Sequence, residues 1–257
     1  MRTDPTEQVT RGEDPVALSV LGRFDMVRGA VRPALPHPAQ RLMALLSVSG
    51  GIERSHAAGI LWPEVEHAHA LANLRTALWR LRCISPGIVR SFGPELRLDP
   101  AITIDLREAE ALAHRILYEA LPLHEARSAA HHLSRDLLPD WDDEWLEFDR
   151  ERFRDLRVHA LERLCDQLSA LGEHADAVQC GLLAVQGEQL RESSHRALMR
   201  AHIAEGNRAR ALQVFQLLER MLDRELQVSP SKATIDLASE LAQPGTIVKP
   251  RVISASG

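Results

Sequence analysis

The run Ala68-His-Ala-Leu-Ala-Asn-Leu-Arg-Thr-Ala-Leu-Trp-Arg-Leu-Arg-Cys83 decides how the first hundred residues are read. Leu71, Leu74, Leu78 and Leu81 recur at the spacing of one helical face, which is predicted to pack inward. The opposite side then carries His69, Asn73, Thr76, Trp79 and Arg80, with Arg75 and Arg82 on its flanks. Arg, Asn and Thr suit the base edges and phosphates of a major groove. Trp79 is bulky for an exposed position. Large aromatics are usually buried, so it is expected to wedge into the preceding helix, stacking on a sugar being the alternative. A solvated amphipathic helix would show the same pattern, and the neighbouring segments decide between the two.

Upstream, Val16-Ala-Leu-Ser-Val-Leu-Gly22 reads as a short strand, and Phe24-Asp-Met-Val-Arg-Gly29 as a second one in a meander. A helix over about 38–49 follows, opened by Pro38 and stopped by Gly50-Gly51, with Leu42, Leu45, Leu46 and Val48 on its apolar face. Ser55 is expected to cap a short helix from His56 to Leu61 that halts before Pro63. Downstream, Ile88-Val-Arg-Ser-Phe, the turn Gly93-Pro94-Glu95 and Leu96-Arg-Leu98 read as a hairpin carrying Arg90 and Arg97 outward. Strands, three helices and an arginine-bearing hairpin are the order of a winged helix-turn-helix.

Charge follows the same division. Residues 16–100 hold ten arginines against six acids, whereas residues 101–245 hold seventeen basic residues against twenty-six acidic ones. Only the first segment has the positive balance that phosphate binding requires. Apolar residues make up 45% of the chain but aromatics only 4%, so the cores must be built from Leu, Ala and Val, a mixture that favours helix. Residues 1–15 are polar and read as a disordered leader, and 244–257 as a flexible tail. No stretch approaches the roughly 20 apolar residues of a membrane helix. Three cysteines without paired spacing suit reduced thiols in the cytoplasm.

From Asp105 onward the pattern is helical: a pair over 105–119 and 123–138, then a long helix over about 144–171. Beyond it the chain repeats. Gly172 and Gly206, Ala175 and Ala209, Ala177 and Ala211, Gln179 and Gln213, Leu183 and Leu217, and Leu164 and Leu198 all lie 34 residues apart. A glycine turn followed by small residues at that period is the tetratricopeptide pattern. One repeat cannot bury its own face, so the pair at 105–138 is expected to supply a third. The fold class is therefore mainly α: an α+β winged helix over 16–100, then an all-α repeat domain over 101–243.

Leu21-Gly22, Gln40-Arg41, Leu61-Trp62, Asn73-Leu74, Arg80-Leu81-Arg82 and Leu96-Arg97-Leu98 resemble the DNA-binding domain of OmpR-type regulators. The version they are most similar to is that of the actinobacterial antibiotic regulatory proteins, the SARP type. Leu137-Leu-Pro-Asp-Trp141 and Leu226-Gln-Val-Ser-Pro230 resemble the bacterial transcriptional activator domain that follows it in that family. The likeness runs over about 18–241, with Pro94-Glu95 standing where the family's wing carries Gly-Tyr. It implies an activator that binds double-stranded DNA, recruits RNA polymerase holoenzyme and serves a biosynthetic gene cluster. The DNA contacts implied are Arg41, Asn73, Arg75, Thr76, Trp79, Arg80, Arg82, Arg90 and Arg97. A homodimer on DNA stays open on sequence grounds.

Other signals point to ordinary structure. The acidic run Asp140-Trp-Asp-Asp-Glu144 lacks the glycine and distant Glu of a calcium loop and reads as a helix start. His131-His132 has no metal-ligand spacing, and 150–157, charged with alternating sign, reads as a solvated helix face. No phosphate loop or nucleophile elbow occurs, so neither an enzyme nor a cofactor is expected. The rival reading is a tetratricopeptide-like scaffold whose winged helix binds protein rather than DNA. The charge break near Pro100 predicts that residues 1–104 fold alone.

Overall fold

The computed structural model describes residues 15–242, so the leader, save Pro15, and the tail lie outside the described residues. The chain is mainly α. Packing divides it into two compact units: residues up to 112 together with Arg135–Arg154, and Ala113–Ser134 together with 155 onward. This grouping differs from a linear division at residue 100, because chain from beyond that point completes the first core.

In the first unit β1 (Val16–Ser19) pairs antiparallel with β2 (Asp25–Arg28) and parallel with β6 (Thr103–Ile104). Helix α1 (His37–Ser49) carries Pro38 in its first turn and ends at Gly50, whose φ of 70° a side chain would resist. Helix α2 (Arg54–Leu61) begins two residues earlier than Ser55 would set it. Glu53 is its N-cap, and no side chain caps it. Helix α3 (His67–Ile84) buries Ala70, Leu74, Ala77 and Leu81, while Leu71 and Leu78 are only half-buried. The expected all-leucine stripe is thus corrected: alanines let α3 lie close to its neighbours and push two leucines to the edge of the contact. A second sheet, in the order β3 (Ile52–Glu53), β5 (Glu95–Leu98), β4 (Val89–Phe92), forms the wing hairpin and ties its inner strand to the start of α2. The two-residue strands β3 and β6 are too short for any periodicity to announce.

The backbone at the end of β1 is held from outside the linear segment. Asp105 accepts from the Val20 and Leu21 N–H groups at 2.8 and 3.2 Å. Burial pushes its carboxyl above the usual range, although the N–H bonds pull the other way. Leu138 N–H donates to Val20 O at 2.9 Å, and Gly22 N–H to Asp136 O at 2.7 Å. Leu138 has φ 40°, unusual for a branched residue, and Arg150 donates to the Leu137, Leu138 and Trp141 carbonyls around it. Trp141 stacks on Phe24 with ring centroids 5.9 Å apart.

The second half is helical: α4 (Asp105–Tyr118), α5 (Leu123–His132), α6 (Glu147–Ala170) after a 3-10 turn at Glu144–Leu146, α7 (His174–Gly187), α8 (Glu192–Ala204), α9 (Arg208–Leu226) and α10 (Lys232–Ala242). Helix α5 stops at His132 instead of running to Leu138, since residues 136–138 bond to Val20, Leu21 and Gly22 just after β1. Gly172 and Gly206 both close a helix in left-handed backbone, φ 80° and 87°, at the two equivalent points of the 34-residue register. Helix α8 packs between α7 and α9, and α5 packs on α7. The alternating charges at 150–157 are a solvated face only in part, with Glu151, Arg152 and Asp155 exposed. Arg150 caps carbonyls, and Arg157 is buried and donates to Leu133 O at 3.3 Å.

Candidate nucleic-acid interface

Helix α3 presents its polar residues on two flanks, because its buried stripe runs through Ala70, Leu74, Ala77 and Leu81. On one flank Arg75 and Arg82 line a groove of about 490 Å³ against the wing, shared with Trp79, Arg54 and Ser91. On the other, Asn73, Thr76 and Arg80 line a cavity of about 380 Å³ beside Pro36 and Pro38 at the start of α1. Asn73, Arg75, Thr76, Arg80 and Arg82 are all exposed. Among the described residues no acid pairs with Arg75, Arg80 or Arg82, so their charge is available to an outside anion.

Trp79 departs from the expectation of burial. It is 58% exposed, since it stands on the side of α3 opposite the buried stripe of Ala70, Leu74, Ala77 and Leu81. The Arg80 guanidinium carbon stands 5.4 Å from its ring centroid, within cation–π range. Thr76 is exposed, but its hydroxyl donates to Ala72 O at 3.0 Å, so its one hydrogen is spent inside the helix.

The wing brings up Arg90 and Arg97, both exposed and both paired in the unliganded protein. Arg90 donates to Asp99 at 2.6 Å. The Asp99 carboxyl is held below its usual range by the Ala101 N–H and, secondarily, by Arg90, against the desolvation that opposes both. Arg97 makes a two-point contact with Glu95 at 2.9 and 3.1 Å and sits 6.0 Å from the exposed Phe92 ring. Glu95, standing at the wing's departure from the family pattern, thus gives the tip an internal ion pair.

Arg41 lies apart from these residues. Its guanidinium donates to Asp143 Oδ1 at 2.7 Å and to the Leu61 carbonyl at 2.7 Å, and the side chain is 19% exposed. Asp143 also accepts from the Trp145 indole N–H at 3.0 Å. The acidic run at 140–144 therefore supplies a part-buried partner for Arg41, and the described residues contain no group of His, Cys, Asp or Glu able to hold a metal ion. Arg54 is a residue that sequence reasoning missed: from the first turn of α2 it donates to Ser91 Oγ at 2.8 Å and lines the groove with Arg75 and Arg82. The signal was a cation where a helix dipole disfavours one.

The family described as the bacterial transcriptional activator domain matches residues 101–242. Among solved structures, the chain is similar to EmbR of Mycobacterium tuberculosis, determined in complex with a low affinity phosphopeptide. The TM-score is 0.70 and the identity 19%, over 91% of this chain and 67% of that one. At this identity the likeness speaks for the fold, a winged helix followed by an all-α domain. No curated protein matches the sequence. No helix among the described residues is long and apolar enough to cross a membrane.

Proposed function

The chain belongs to the bacterial transcriptional activator domain family, with the SARP-type plan of a winged helix ahead of that domain, and from that premise we propose that it binds duplex DNA and activates transcription. The observation that carries the proposal is on α3. Arg75, Arg80 and Arg82 stand exposed without acid partners among the described residues, whereas Arg32, Arg41 and Arg90 of the same unit are each committed to an aspartate. In this reading α3 enters the major groove, and Arg90, Arg97 and Arg54 approach the phosphates beside it. The exchange at Arg90 and Arg97 trades a carboxylate for a phosphate. Arg41 is left out of the interface, because Asp143 and the Leu61 carbonyl hold its guanidinium and only 19% of the side chain is exposed.

The acidic repeat half would then face protein, with RNA polymerase holoenzyme as the partner and promoters of a biosynthetic gene cluster as the targets. Both follow from the SARP resemblance, as does a cytoplasmic location. The direct test is selection by the full chain from a random duplex pool at several salt concentrations. One enriched motif is expected, with log affinity falling linearly in log salt, and a repeated half-site spaced by one helical turn would mark a homodimer. A pool that stays random would return the winged helix to the scaffold reading.

A further inference from the structure

The line of α3 that projects furthest from its buried stripe is apolar. Spaced four, three and four residues apart, Ala72, Thr76, Trp79 and Cys83 form one ridge, which separates the Arg75–Arg82 flank from the Asn73–Arg80 flank. Thr76 adds a methyl to this ridge instead of a donor, because its hydroxyl is bonded to Ala72 O at 3.0 Å. Trp79 adds an indole that is 58% exposed, with the Arg80 guanidinium beside the ring. The middle of a helix meant to read bases thus offers methyl, methyl and aromatic carbon, with cations on either side.

Resting on the DNA-binding reading above, we propose that this ridge selects thymine by its C5-methyl group, with Trp79 as the principal specificity-determining contact. In the major groove only thymine presents a methyl, and small apolar or aromatic side chains are its natural partners. The flanking arginines fit the occupant. A duplex brings phosphates to both walls of the groove and methyls to its floor, so charge and apolar surface meet their complements together. Stacking of the indole on a backbone sugar is the alternative, and it differs in being indifferent to sequence.

The test uses the full chain and the duplex it selects, with each thymine replaced in turn by deoxyuridine. This substitution removes one methyl and leaves every base-pairing edge intact. One or two positions should each lose about fourfold in affinity, the effect of a methyl withdrawn from a dry contact. The penalty opposite the indole should disappear in Trp79→Ala and persist in Trp79→Phe. Trp79 is exposed, so neither variant should disturb folding. A flat deoxyuridine scan would overturn the proposal. So would a Trp79→Ala variant that weakens selected and scrambled duplexes alike, since that is the mark of sugar stacking. If no duplex is selected at all, the DNA-binding reading fails and the ridge with it. A selected motif without a methyl penalty sinks the ridge alone.

Discussion

Arg80 and Arg97 carry the same charge in different settings, and they should fail differently. Arg80 projects from α3 next to Trp79, whereas Arg97 lies on β5 in a two-point contact with Glu95. Replacing Arg80 with Ala should cost roughly 1–3 kcal/mol on the selected duplex and little on a scrambled one, as expected for a base contact. Replacing Arg97 with Ala should weaken both about equally and lower the salt slope by about one unit. Titrations of both variants at several salt concentrations separate the two, and equal losses for Arg80→Ala on both duplexes would remove its reading role. The exposed polar positions of α3 were legible in the sequence because they follow from helical period. The fate of the Thr76 hydroxyl depended on a local bond to Ala72 that leaves no periodic trace, whereas the exposure of Trp79 follows from the helical period, since it stands opposite the buried stripe. The ion pair of Arg41 was not legible because its partner, Asp143, is 102 residues away in sequence.

Among the elements, the helical repeats expose two kinds of glycine. Gly206 closes α8 at φ 87° with nothing within 4 Å of an added Cβ, so only backbone conformation is at stake there. Gly181 sits inside α7, and a Cβ would come within 3.0 Å of the Leu198 Cα in α8. In a free helix, exchanging Gly for Ala gains about 1 kcal/mol. At Gly181 that gain opposes overpacking against backbone, which typically costs 1–3 kcal/mol, so Gly181→Ala should be destabilising. Gly206→Val should cost about 1 kcal/mol or more, with Asn better tolerated at the same position. Denaturant midpoints of the second unit measure each effect, and a Gly181→Ala protein more stable than the parent would contradict the close approach of α7 and α8. Gly172 and Gly206 could be found from the sequence because they repeat at 34 residues. Gly181 could not, since Phe215 stands at its equivalent position. The end of α5 was likewise hidden, as residues 136–138 are drawn by tertiary pairing into bonds with the segment just after β1.

At the scale of the whole molecule, the order of winged helix and helical repeats was legible because each carries its own period, 34 residues in one case and the strand-helix-hairpin order in the other. The extent of the first unit was not. A fragment ending at residue 104, which the charge break marks as self-sufficient, lacks Asp105 at the end of β1, the Asp143 partner of Arg41, and the Leu137, Leu138 and Trp141 packing. Such a fragment should melt well below the first transition of the full chain or fail to fold cooperatively, because it strands the partly buried Arg41 charge and opens the core edge. A fragment with a cooperative transition at the parent temperature would show that residues 135–154 only decorate the unit. The central claim, that α3 binds DNA through its unpaired arginines, has one most direct measurement. The selected duplex is titrated with the full chain and with a variant carrying Arg75→Ala, Arg80→Ala and Arg82→Ala together, each protein's thermal unfolding being recorded alongside. The account predicts an affinity loss of at least about a hundredfold with unfolding unchanged, and a variant that folds normally and binds within about threefold of the parent would contradict it.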